Sequence, residues 1–245
     1  MTEDTKPRAF GFRPLYLQVR ESLVRRLIDG SWQPGQLIPS EMELARELGI
    51  SQGTVRKALD VMRAENLLIS RQGRGTRVAE PEESRILFQF FHLVPDNGER
   101  SFPNSRVLHR DRARASKAEA EGLNTEAGAE VWRIERVRTL EDAKPLLIET
   151  ITLPAARFPE FEALAAIPNN VYRLYSQTWG ITIGGASEAL KAISASAEDA
   201  RVLGCAPGTP LLEISRTAFD LAQAPVELRV SRCLTEQAHY RADLR

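Results

Sequence analysis

The sequence predicts an α+β chain in two parts, and three observations lead there. Two short amphipathic segments, one opening at Ser40 and one at Ser51, are joined by a turn at Gly49. The stretch that follows, LLISRQGRGTRVAE, reads as two short strands about Gly73 to Gly75. From about residue 87 onward the residues alternate as strands do, and the pattern repeats itself once.

The elements follow in order. Residues 1–13 read as a disordered leader. Pro14 suits the first turn of a helix, along which Leu15, Val19, Leu23 and Leu27 fall four apart, with Leu17, Val24 and Ile28 widening the stripe and Gly30 ending it. A Pro-Gly turn in SWQPGQLIP leads to Ser40, which with Glu43 forms a capping box. Leu44, Ala45 and Leu48 make the buried side of the second helix, and Ile50 plugs the turn. Ser51 caps the third helix, where Val55, Ala58, Leu59 and Met62 share one face. Gln52, Thr54, Arg56, Lys57 and Arg63 are left near its start or on its outer side. A turn of about three residues containing glycine, between two short helices, is the helix-turn-helix signature, whose second helix reads the DNA major groove. The arginines of the hairpin suit phosphates or a minor groove.

Composition agrees with a soluble chain of one large or two ordinary domains. It has 245 residues, 42% hydrophobic and 27% charged, with no formal net charge. Residues 1–80 carry thirteen Lys/Arg against ten Asp/Glu, a mildly basic half beside an acidic one. The two cysteines, Cys205 and Cys233, lack metal-ligand spacing and read as structural thiols. The polar N-terminus is no signal peptide, and no apolar run approaches the ~18 residues of a membrane span. A cytoplasmic protein without cofactor or metal is expected.

In combination, the PG, PSE, TVR and GRGT landmarks between Pro14 and Val78 resemble the winged-helix domain of the GntR family of bacterial transcription regulators. The resemblance implies that Thr54, Arg56, Gln72 and Gly73 touch DNA. The full candidate set is Ser40, Ser51, Gln52, Thr54, Arg56, Lys57, Arg71, Gln72, Gly73 and Arg74. Two positions depart from the family pattern. Met42 stands where an Arg commonly follows PSE, and Gln52 where an Arg commonly precedes TVR. Since Arg reads guanine and Gln reads adenine bidentately, a distinct operator is expected.

A polar linker, Pro81 to Arg85, precedes FQFFHLV, whose Phe88, Phe90 and Phe91 read as core and interface packing. Beyond it, an offset of 80 residues aligns Ala115-Ser116 with Ala195-Ser196, Gly128 with Gly208, Arg136 with Arg216 and Pro145 with Pro225. Each copy reads strand, short helix, Gly turn, then two strands, so two copies would pair into one sheet with helices packed on it. In VWRIERVRTL, Trp132, Ile134, Arg136 and Arg138 share a face. Two arginines there need a negative partner, either a bound anion or Glu149 of LLIETITL. Asn170 caps a helix beginning at Val171, which leaves its first N–H groups to hold an anion. In VELRVSRCL, Glu227, Arg229, Ser231 and Cys233 share a face that either meets solvent or lines a pocket.

From roughly Ser84 to Tyr240, the segments ERVRTLEDAKPLLIET, NNVYRLY and EISRTAFDLAQAPVELRVSR resemble the UTRA effector-binding domain of the HutC-type members of that family. This implies a chorismate-lyase-like antiparallel sheet with packed helices, dimerisation through this half, and an effector pocket at Arg136, Arg138, Asn170, Tyr172 and Glu227, with Glu149 nearby. Asn170 stands where a Ser is common, and Cys233 replaces an aromatic residue of several sugar-phosphate-responsive members. A carboxylate and a phosphosugar therefore both stay open as effector.

The expected organisation is a DNA-binding domain over residues 10–80, a linker over 81–86 and an effector domain over 87–245. The expected function is a ligand-responsive regulator, a repressor released from a near-palindromic operator, acting as a homodimer; an activator is the alternative. An enzyme is disfavoured, because His92, His109 and His239 are scattered and no nucleophile triad or metal spacing is present. The all-helical metal-dependent effector domain of other family members is disfavoured by the strand alternation.

Overall fold

The computed structural model describes residues 14–65, 67–71, 75–79, 91–96, 103–140 and 144–242, with only the backbone of Arg71. The leader, the linker, Phe88, Phe90 and Gln72, Gly73 and Arg74 lie outside the described residues. The chain divides into two compact units, Met1–Glu80 and Pro81–Arg245.

In the first unit, α1 (Leu15–Ile28) follows Pro14 and is closed at Asp29, whose N–H bonds to Arg25 O. It buries Val19, Leu23 and Val24, whereas Leu15 and Ile28 are half exposed. The broad stripe read from the sequence is thus too long. Residues four apart advance about 40° beyond a full turn, so the ends of such a row rotate off the packed face. Ser40 Oγ accepts from Glu43 N at 3.3 Å and the Glu43 carboxylate accepts from Ser40 N at 2.8 Å, the capping box that starts α2 (Glu41–Leu48). Gly49 closes it at φ +66°, a conformation that costs a side chain about 1–2 kcal/mol. Ser51 Oγ then accepts from Thr54 N at 3.2 Å and opens α3 (Gln52–Ala64). Val55, Ala58, Leu59 and Met62 are fully buried along α3, each large one contributing about 1.5–3 kcal/mol. That packing fixes which side of α3 stays outside. The wing is β1 (Leu68–Arg71) against β2 (Gly75–Val78), antiparallel from Leu68↔Val78 to Arg71↔Gly75.

The second unit is built on one six-stranded antiparallel sheet. Its elements are β3 (Leu93–Pro95), β4 (Asn104–Arg114), α4 (Lys117–Gly122), β5 (Glu130–Thr139), β6 (Pro145–Pro154), α5 (Val171–Trp179), β7 (Ile183–Ser194), α6 (Ala197–Leu203), β8 (Pro210–Asp220), β9 (Pro225–Leu234) and β10 (Ala238–Tyr240). The sheet order is β4-β5-β6-β9-β8-β7, and β3 pairs with β10 beside it. The run β4-α4-β5-β6 recurs as β7-α6-β8-β9, as the 80-residue offset predicts. Both short helices open on the same capping box, Ser116 with Glu119 and Ser196 with Asp199. Thr150 lies opposite Val230, its own counterpart in the second copy, so a local two-fold passes between them. Clusters around Val131 and Ile148 seat α4 and α6 on one face, while Trp132, Ile134, Ile151 and Leu153 meet α5, Phe158 and Phe161 on the other.

The face of β9 left undecided by alternation is resolved. Glu227, Arg229, Ser231 and Cys233 are buried, while Leu228 and Val230 opposite them are only half-buried. The polar face is the inner one.

Candidate functional site

Two arrangements carry chemistry, one in each unit. In the first, α3 presents Gln52, Gly53, Arg56 and Lys57 to solvent, with Thr54 half-buried behind them. Thr54 Oγ1 lies 2.9 Å from Ser51 Oγ, so the cap and the candidate contact hold each other. Arg56 Nε donates to Glu41 at 2.9 Å, and the Lys57 ammonium sits 4.5 Å from the Tyr16 ring centre. Burial would raise the Glu41 carboxyl, but hydrogen bonds from Arg56 and Gln52 and the charges of Arg56 and Arg63 hold it below the usual range. Glu41 was missed in the sequence, where the only signal was an acid at the first position of the helix packed against α3.

The second arrangement lies on the inner face of the sheet. Arg136 and Arg138 of β5 point into it, along with Glu149 of β6 and Glu227 and Arg229 of β9, all buried. Arg136 Nε donates to Glu149, Arg138 Nη1 reaches the same carboxylate at 3.4 Å, and Arg229 Nη1 reaches its other oxygen at 3.2 Å. The internal Arg–Glu pair is therefore formed. Arg229 also grips Glu227 with two bonds of 2.9 Å, and Tyr172 and Tyr175 donate to Glu227 at 3.1 and 2.8 Å. From there Arg216 bridges Tyr172 to Glu188, which accepts from Tyr240 Oη. Arg136 Nη1 meets the carbonyls of Pro168 and Asn169 at 3.4 Å, next to Asn170, whose Oδ1 caps α5 by accepting from Arg173 N at 3.0 Å.

So Arg136, Arg138, Glu149, Tyr172 and Glu227 form one network, with Asn170 beside it. Sequence reading missed Tyr175, Glu188, Arg216, Arg229 and Tyr240 as members. Arg229 shared the alternating face of Glu227 and Tyr175 stood three residues after Tyr172, which was the available signal. Burial pushes the Glu149 carboxyl up, yet Arg136, Arg229 and Arg138 together keep it well below the carboxylate range, so it is ionised. Burial drives Arg138 down to about 9 against the pull of Glu149, still protonated at neutral pH. Burial and the charge of Glu227 raise Tyr172 and Tyr175, which stay neutral donors.

On the opposite face, Glu119 accepts from Arg133 at 2.8 Å and from Ser116 N. Burial raises its carboxyl, but these bonds outweigh it and bring it to about 2. A carboxyl depressed in the folded state stabilises above its unfolded value near 4.5 and loses that contribution as pH falls toward 2. Wild-type melting temperature is expected to fall through this window more steeply than that of Glu119→Gln, read by thermal denaturation from pH 6 to 3. Parallel curves would remove the linkage.

Comparison with known proteins decides the family. The model described as bacterial regulatory proteins, gntR family, matches residues 15–78, and that of the UTRA domain matches residues 99–239. The chain belongs to the GntR family. It is a DNA-binding transcriptional repressor of the HutC type, with an effector-binding UTRA domain. The histidine utilization repressor of Pseudomonas putida is 31% identical over 221 residues, 90% of this chain and 88% of its own. The HTH-type transcriptional repressor NagR of Bacillus subtilis is 32% identical over 210 residues, 84% of each chain. The ligand-binding domain of a GntR-family regulator from Bordetella bronchiseptica superposes with a TM-score of 0.58 at 32% identity, covering 64% of this chain and 98% of that one. These relatives are regulators rather than enzymes, as expected of a sensing second half. Among the described residues, no helix is long and apolar enough to cross a membrane.

Proposed function

We propose that this GntR-family repressor binds a near-palindromic operator as a homodimer and is released by a small anionic metabolite, a carboxylate or a phosphosugar. Residues 10–80 read DNA, 81–86 link, and 87–245 sense and dimerise, in the cytoplasm. On DNA, Gln52, Thr54 and Arg56 meet base edges, while Ser40, Ser51, Lys57 and the wing residues Arg71, Gln72, Gly73 and Arg74 meet the backbone or minor groove. The effector lies against Arg136, Arg138, Glu149, Asn170, Tyr172 and Glu227.

One observation carries the effector assignment. Arg136 is fully buried beneath the segment that enters the capped N-terminus of α5, and its Nη2 has no partner among the described residues. A buried cationic donor beside a helix N-terminus is a cradle for an anion. An effector moves an equilibrium only by its different affinity for the two states. Here that difference arises if the anion takes over bonds that Arg136 now spends on Glu149 and the carbonyls.

The test selects an operator from a random duplex pool with the full chain, then titrates the complex with panels of small carboxylates, phosphosugars and their uncharged analogues. At least one compound is expected to weaken operator binding tenfold or more, and light scattering to show a dimer. Release only by uncharged compounds would overturn the anion, and a monomer on a single half-site would overturn the homodimer.

A further inference from the structure

We propose that Glu41 is a specificity-determining positioning residue of the DNA-reading head, holding the Gln52 amide and the Arg56 guanidinium in the orientation that meets base edges. The proposal rests on the assignment of α3 as the groove reader. Glu41 is the first residue of α2, fixed there by the Ser40–Glu43 capping box, and it is only 24% exposed. Its Oε2 accepts from Arg56 Nε at 2.9 Å and from Gln52 Nε2 at 3.4 Å. Its Oε1 accepts from Arg63 Nη2 at 3.4 Å, and Arg63 is tied in turn to Asp60. One carboxylate on the helix that does not enter the groove therefore gathers three side chains of the helix that does.

The chemistry of each partner gives this contact its consequence. A glutamine amide can present either end, but only the NH₂ end can face an ionised carboxylate, which is acceptor-only. Held that way, Gln52 turns its Oε1 away from Glu41 and keeps one N–H in reserve. An acceptor and a donor side by side are what adenine requires at its N6 and N7. Arg56 spends Nε on Glu41, which leaves its two Nη groups as a fork for a guanine edge or a phosphate. Both side chains are otherwise exposed, Arg56 by 60%, and would lose rotamer freedom on docking. Glu41 removes part of that loss beforehand and favours one orientation over its flipped alternative.

The experiment uses the full chain and the operator it selects from a random duplex pool. Binding is measured at fixed salt to that operator, to each single-base variant of it, and to an unrelated duplex. Glu41→Ala is expected to lower discrimination about tenfold at the bases contacted by Gln52 and Arg56. Affinity for the unrelated duplex should hold or rise, since an anion near phosphates is gone. Glu41→Gln, which keeps the volume and removes the charge, guards against a folding defect and is expected to lose discrimination likewise. Discrimination within twofold of wild type in both variants overturns the proposal: uniform weakening would mean a purely structural role, uniform tightening plain repulsion of phosphates. Gln52→Ala and Arg56→Ala run alongside. If they leave discrimination untouched, the groove assignment falls and Glu41 with it; if they reduce it and the Glu41 variants do not, only the role of Glu41 falls.

Discussion

Glu149→Ala is expected to cost the second unit about 3–5 kcal/mol, because it strands Arg136, Arg138 and Arg229 in a dry interior. The carboxylate is 3% exposed and accepts from all three guanidiniums, so water cannot replace it. Urea denaturation followed by the fluorescence of Trp132, buried in the core, and of Trp179, half-buried against that core at the end of α5, reads the loss directly. Glu130→Ala is the control. It accepts from Arg112 at 2.6 Å, but both side chains are about half exposed, and pairs of that kind contribute about 0–1 kcal/mol. A loss below about 1 kcal/mol for Glu149→Ala would show that the arginines find other partners, and the network would cease to be the charge anchor of the sheet.

Arg56→Ala is expected to weaken operator binding by about 1–3 kcal/mol, or roughly fivefold to more than a hundredfold, while leaving the fold intact. The side chain projects from the exposed face of α3, opposite the buried Val55, Ala58, Leu59 and Met62, so its removal opens no cavity. The loss should concentrate on one or two bases of the selected operator. Lys57→Ala, by contrast, should weaken all sequences alike and reduce the salt slope by about one. Fluorescence anisotropy on the selected and scrambled duplexes at several salt concentrations separates the two effects. Unchanged affinity for Arg56→Ala, with an unchanged melting temperature, would take α3 out of the groove.

The reading head was legible because its determinants are local. A capping box spans four residues, a left-handed Gly49 announces its turn, and the buried row of α3 repeats within thirteen residues. The length of the α1 stripe misled, because spacing by four drifts around a helix, and of the row read for α2 only Leu44 is buried, with Ala45 and Leu48 half-buried. The second unit was legible in outline, since strands alternate and the copies echo each other. Its interior was not. Alternation says which residues of β9 share a face but not which face a helix will cover, so the face with Glu227 and Arg229 stayed open between solvent and a pocket. The link from Arg216 through Glu188 to Tyr240 joins three strands far apart in sequence, and no local pattern encodes such a register. Glu41 was overlooked for a similar reason, since its partners are set by how α2 crosses α3.

The two copies in the sheet bear on how this fold could arise. Glu149 and Arg229 occupy corresponding positions, 80 residues apart, one on each side of the axis between Thr150 and Val230, and their side chains meet at 3.2 Å. Two identical chains associating about that axis would bring like charge against like charge at this point. Opposite charges require that the halves be encoded separately and free to diverge. The fused chain thus turns what would be a repulsive centre into a cohesive one, and it makes the buried network asymmetric within a single chain.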